Sequence, residues 1–316
     1  MDRIISVEEL KKAISETYDK YKDFAFEGAA PTTHYSGRNV GKFGISLRLA
    51  DGTKFDVGDT QAQFPLFTMA RVPMYVQLLT QFPTTMELVK KMRFDKMPCA
   101  CKCSQSAEEV KPKHVHAKLL RMASLLAPVG DKDAKMNFVI ELMNGMMGSS
   151  PVLDDELYKG QLKRYADADV VNLLAKDGYE LYDETPIAVD IVSKLHSMLV
   201  TTEQLAEMGA TIAADGYNVA TKTNVFDGSY AAPLVAMIAA KGVKKMKKTF
   251  TMVTGLPAMS SSVGSVFAVL PGFGSIAAYS PDVVNDRIPV RAVRAIVEIA
   301  TRFGLNVFAS ARVKAE

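Results

Sequence analysis

The chain has 316 residues, of which 48% are hydrophobic and 23% charged, with a formal net charge of +3. That length supports one large domain or two packed subdomains, and the composition is that of an ordinary globular protein. So small a net charge gives no global signal for nucleic acid. The basic stretch KGVKKMKK at 241–248 reads as a solvated helix end and loop rather than a polyanion groove.

The first 24 residues, MDRIISVEELKKAISETYDKYKDF, are too charged for a signal peptide, and Ser6 with Glu9 reads as a capping box opening an amphipathic helix. No apolar run reaches the roughly 18 residues of a membrane span. Cys99, Cys101 and Cys103 fall within five residues, which does not make a disulfide framework. A cytoplasmic protein is expected. Next, GKFGISLRLA alternates like a half-buried strand, Asp51-Gly52 is a two-residue hairpin signal, and TKFDVGD is the return strand. From Phe67 the pattern turns helical, with Pro73 in the first turns. The middle, roughly 75–245, reads as mostly helical; TTEQLAEMGATIAADG is the clearest case, capped by Thr201 and Gln204 and stopped by Gly216.

In the last third, TFTMVTG, SVFAVLPG and SIAAYSP read as short strands broken by Gly, Pro and Ser. PVRAVRAIVEIATRFG then reads as a helix from Pro289 to Gly304. Strands at both ends with helices between predict an α+β chain whose antiparallel sheet is built from both termini around a large helical insertion. The expected division is one domain over 1–316, with a sheet part near 20–66 plus 249–316 and a helical part near 67–248.

The text GLPAMSSSVGSVFAVLPGFGSIAAYSPDVVNDRIPVRAVRAIVEIATRFGLNVF, residues 255–308, resembles the C-terminal part of the bacterial-type, serine-dependent glutaminases. FGISLRLADGTKFDVGDTQAQF and LVTTEQLAEMGATIAADG are similar to that family's first hairpin and to one of its helices. The resemblance covers nearly the whole chain and is loosest between about 75 and 190. It implies the fold of serine β-lactamases and penicillin-binding proteins, and it implies amide hydrolysis by a serine nucleophile. A lysine one helical turn later would help remove the serine proton.

In that register Thr68 stands at the serine and Arg71 at the lysine. Threonine keeps a hydroxyl, whereas a guanidinium is always protonated and cannot act as base. The family's tyrosine beside the nucleophile falls on Lys244, its other core tyrosine on Val192, and its cleft asparagine on His116. Its KSG motif becomes Met259-Ser260-Ser261, and the following valine becomes Ser262. The glutamate and asparagine that grip the substrate fall on Gly160 or Gln161 and on Asp167, or with a gap on Glu156 and Lys163. The early tyrosine has Phe26 as its nearest counterpart.

So many replacements in one coupled unit point to a family member that has lost glutaminase chemistry and acts as a binding, structural or regulatory subunit. The alternative is an active amidohydrolase that uses Thr68 with another base, Lys244 or His116. If they converge, Thr68, Arg71, His116, Lys244, Ser260 and Ser262 make a cationic, hydroxyl-rich cleft suited to a small anionic ligand; the preferred reading is that Arg71 and Lys244 neutralise local acids or point outward and the cleft is collapsed. The resemblance implies homo-oligomers or pairing with a relative. No cofactor is expected. If the cysteine segment is extended, Cys99, Cys101 and Cys103 share a face that His114 or His116 would complete. C-x-C-x-C is not a common structural-zinc spacing, so reduced loop thiols and no metal are expected.

Overall fold

Asp51 and Gly52 turn the first hairpin: Gly52 has φ +94°, and Thr53 N–H donates to Asp51 Oδ1 at 2.7 Å. The computed structural model, which describes residues 3–35, 38–92, 117–176, 181–285, 287–310 and 313–315, pairs Gly44–Leu49 with Lys54–Gly58 across this turn. Gly44–Leu49 then pairs on its other edge with Gly274–Tyr279 from the far end of the chain, Ile45 opposite Ala278. The resulting five-stranded antiparallel sheet runs Ala258–Ser260, Ser265–Leu270, Gly274–Tyr279, Gly44–Leu49, Lys54–Gly58. A sheet assembled from both ends, with helices inserted between, is the α+β architecture expected.

The two-residue period sorts the side chains. Ile45, Leu47, Leu49, Ile276 and Ala278 join a core with the helices Val7–Tyr21 and Val290–Phe303. Ser46, Arg48, Ser275 and Ala277 face the helix Thr202–Ala213, which packs across the central strands. Gly44–Leu49 is therefore buried at every position, not half-buried. Its alternation survives because Arg48, on the helical side, is neutralised by Asp56 at 2.8 Å and by Glu203 and Glu207, each at 3.4 Å. The Thr201 and Gln204 side chains form the expected capping box.

Gly209, inside that helix, lies where the helix meets the sheet. A Cβ there would stand 2.0 Å from Ser275 Oγ and 2.6 Å from Ser275 Cβ, and Ser275 Oγ already donates to the Ala268 carbonyl. In an exposed helix Gly→Ala stabilises by about 1 kcal/mol. Gly209→Ala is expected instead to destabilise by about 1–3 kcal/mol through overpacking. A urea midpoint at or above that of the native protein would show that the helix lifts off the sheet freely.

One reading of the last third is corrected. TFTMVTG belongs to the helix Lys247–Thr254, not to a strand. Its threonines and valine favour strands locally, but Phe250 and Thr254, four residues apart, are the buried pair. Gly255, in the left-handed region at φ +66°, closes the helix by donating to the Thr251 carbonyl. Tertiary burial overrides propensity here.

The chain divides into two compact units. The first comprises Met1–Val72, Glu141–Val152 and Met198–Glu316; the second comprises Pro73–Ile140 and Leu153–Ser197. The segment 198–248 thus lies with the sheet, whereas the sequence reading gave it to the helical part. In the second unit, Thr185–Ser197 packs against Ala117–Leu125 and Asp155–Asp167. Lys135 pairs there with Asp183, both buried, and the Tyr158 hydroxyl donates to Asp190. Among the described residues no helix is long and apolar enough to cross a membrane.

Candidate functional site

Phe64–Pro65 pairs with Leu199–Val200, and Leu66 N–H donates to the Met198 carbonyl at 2.8 Å, fixing where the next turn starts. That turn is the 3₁₀ stretch Phe67–Ala70, which runs directly into the helix Arg71–Gln81. Pro73 occupies the first helical turn, where its missing N–H costs no intrahelical bond. Phe67 carries φ +44°, a genuine outlier for a bulky side chain, and its ring lies 6.1 Å from that of His34. This backbone strain immediately precedes Thr68, and such strain clusters at functional sites. Thr68 is buried and Arg71, one turn later, is half-buried.

The strand Ala258–Ser260 packs against this 3₁₀ turn. It also bridges in parallel to the chain leaving the helix Ala231–Lys241, Gly242 opposite Met259. Beyond that bridge Lys244 N–H donates to Ser260 Oγ at 2.8 Å. Ser260 therefore holds the Lys244 backbone in place. Ser261 accepts from Val263 N–H, and the Ser262 carbonyl accepts from the Thr32 hydroxyl at 2.7 Å. All three serines are buried. Thr32 was not foreseen. It reaches the site because Ala29–Pro31 pairs with Asp282–Val284, a long-range pairing with no local sequence mark.

The electrostatics of this region are cationic. Burial first, then the charges of Arg287 and Arg71, lower Lys244 from its usual 10.5 to about 8. A fraction of Lys244 is thus neutral at mild alkaline pH and able to accept a proton, which Arg71 cannot do. Within the sheet-bearing unit Lys244 is tied to Ser260 and feels the charges of Arg287 and Arg71, Ser262 is tied to Thr32, and the turn carrying Thr68 packs against the Ala258–Ser260 strand.

Other expected site residues fare differently. Val192 lies in Thr185–Ser197 in the second compact unit and is fully buried, which leaves it no surface for a ligand. Asp167 ends the helix Asp155–Asp167 in the same unit and is exposed beside a shallow depression of about 430 Å³, lined by Gly160, Lys163, Arg164, Asp167 and Ala168. His116 and Cys99, Cys101 and Cys103 lie outside the described residues. Among the described residues no group of three or more His, Cys, Asp or Glu side chains is placed to hold a metal ion.

The chain matches the family model described as Glutaminase over residues 34–308. It is 31% identical to a glutaminase of Bacteroides thetaiotaomicron over 313 residues, 98% of this chain and 97% of the relative. A glutaminase of Brucella canis is 28% identical over 272 residues, 84% of each chain. Among solved structures, the probable glutaminase ybaS superposes with TM-score 0.83 at 21% identity, over 97% of this chain and 100% of that one. The Bacillus subtilis glutaminase YbgJ superposes with TM-score 0.76 at 17% identity over 95% and 99%. It was solved as a covalent complex with 5-oxo-L-norleucine formed by reaction with 6-diazo-5-oxo-L-norleucine.

Proposed function

Because the chain belongs to the glutaminase family, we propose that it works as a binding or regulatory member of that family and does not release ammonia from glutamine through a serine–lysine couple. The observation that carries this reading is Arg71, set one helical turn after Thr68 in the position where the family resemblance calls for a base. A guanidinium keeps its proton at any physiological pH, so the Thr68 hydroxyl gains no proton acceptor from it. Threonine adds a second obstacle, since its methyl restricts the rotamer from which the hydroxyl would attack.

The test is ammonia and glutamate release from glutamine by pure protein, beside Thr68→Ser/Arg71→Lys. Neither form is expected to turn over, because Lys244 and Ser262 also depart from the family's pattern. Exposure to 6-diazo-5-oxo-L-norleucine, the reagent that reacts with the Bacillus subtilis glutaminase, is expected to leave the intact mass unchanged. Hydrolysis by the native protein that Thr68→Val abolishes, with folding intact, would sink this reading.

That outcome belongs to a second reading, which one observation favours. Lys244, lowered to about 8, is a candidate base on the segment bridged to the strand that packs against the Thr68 turn. An amidohydrolase built this way would gain activity as pH rises through about 8 and lose it in both Thr68→Val and Lys244→Met.

A further inference from the structure

We propose that the helix Lys247–Thr254, with the turn before it and the loop at 306–308, is a docking surface for an anionic lipid bilayer. The surface lies wholly in the sheet-bearing unit and does not depend on whether the Thr68 turn hydrolyses an amide.

The inner face of this helix is accounted for. Phe250 and Thr254 are buried, and the helix packs against Val290–Phe303. Its outward positions divide along its length. Lys247 and Lys248 are exposed at the N-terminal end, and Lys245 is exposed in the preceding turn. At the other end Met252 is 84% exposed and Val253 50%. The chain after the last helix brings Phe308, 72% exposed, to that same end. Val307 N–H donates to the Gly255 carbonyl at 3.2 Å, and Phe308 N–H donates to Asn306 Oδ1 at 2.8 Å. Three lysines and three large apolar side chains thus share one short helix and the segments at its two ends, and the fold leaves all six in water.

Folding stability does not account for this arrangement. Cations at a helix N-terminus oppose the macrodipole, and the first turn carries no acid to offset them. Lys245 adopts φ +58°, a left-handed conformation that is costly for a residue other than glycine. Residues 228–281 contain five lysines and no aspartate or glutamate. In the last helix the acid is Glu298, and Lys20 and Tyr21 already donate to it.

The chemistry selects the partner. The phosphodiester backbone of a nucleic acid would meet the lysines and leave the apolar side chains in water. A second copy related by a two-fold axis would set one lysine cluster against another. An anionic leaflet meets both halves of the surface. Its potential draws the lysines, each giving about a fivefold gain in partitioning, and its interface takes up Met252, Val253 and Phe308.

Flotation of the full chain with lipid vesicles tests the surface, using phosphatidylcholine alone and phosphatidylcholine mixed with phosphatidylserine. Binding to the mixed vesicles and not to the neutral ones is expected, and it should fall as salt is raised. Lys247→Gln/Lys248→Gln should weaken it about 25-fold, two fivefold steps. Met252→Ser/Phe308→Ser should weaken it about tenfold or more. All four positions are exposed, so both variants should keep the native unfolding midpoint. Lys90→Gln/Lys159→Gln removes the same charge from exposed positions in the second unit and should leave binding unchanged. No binding to the mixed vesicles, equal binding to the neutral ones, or binding that survives both surface variants overturns the proposal. Tighter binding of duplex DNA than of the mixed vesicles at the same salt also overturns it, assigning the surface to a polyanion. Self-association that Met252→Ser/Phe308→Ser abolishes overturns it in favour of a second copy.

Discussion

Arg291→Met is expected to cost the native fold about 3–5 kcal/mol, the range for stripping one partner from a buried charged network. The guanidinium is 5% exposed and sits in the first turn of the helix Val290–Phe303, the end where the macrodipole disfavours a cation. Its hydrogen bonds hold it there. It donates to Asp282 at 2.6 Å, to the Lys22 carbonyl at 2.7 Å and to Ser280 Oγ at 3.2 Å. It also donates to the carbonyls of Gly41 and Lys42, and it lies over the Phe43 ring. One side chain thus ties the loop after the first helix, the entry to the first strand and the start of the last helix. Methionine fills similar volume but leaves Asp282 and three carbonyls without this donor. Lysine cannot restore the fork and is expected to recover less than half of the loss. Urea unfolding reads this directly, and a change below 1 kcal/mol in Arg291→Met would show that these carbonyls find other donors.

The second large effect is a pH dependence. Lys244 is lowered to about 8 in the native state and returns to about 10.5 when unfolded. Below pH 8 both states hold the proton, and the native state bears the full cost of the buried cation. Between 8 and 10.5 the unfolded chain binds more protons than the native one, so stability rises with pH through that window. The full span corresponds to about 3 kcal/mol, of which about 2 falls between pH 7 and 9.5. Lys244→Met removes this contribution while leaving every other titrating group in place. The variant is therefore expected to be more stable than the native protein at pH 7, with the advantage shrinking by about 2 kcal/mol at pH 9.5. Parallel stability curves for the two proteins would mean that solvent reaches the Lys244 ammonium.

Much of the frame is legible in the sequence because its signals are local. The Asp51-Gly52 turn, the Thr201/Gln204 box and the helix from Pro289 to Gly304 each depend on a few adjacent residues, and each stands as read. Lys247–Thr254 defeats that approach because its strand-like Thr249, Thr251 and Val253 are exposed or half-buried, while the buried Phe250–Thr254 pair decides its form. At the site, spacing places Thr68 and Arg71 one turn apart. The tether from Lys244 to Ser260 and the one from Thr32 to Ser262 are not legible in the same way. They arise from a parallel bridge and a strand pairing that join segments 16 and 230 residues apart. Periodicity carries no information about such pairs. The positive φ at Phe67 is equally silent, since nothing in phenylalanine advertises it.

The pairing of Ile45 with Ala278 has a consequence for synthesis. The two residues are 233 positions apart in the chain. At the roughly 5–20 residues per second of translation, the first hairpin waits on the order of ten to fifty seconds for its neighbour. Throughout that interval the edge of Gly44–Leu49 is open, with Ile45, Leu47 and Leu49 uncovered by the last helix. A nascent chain in this state is a ready template for pairing with another chain. Yield in the cell should therefore depend on holdase capacity and growth temperature more steeply than the finished fold's stability would suggest.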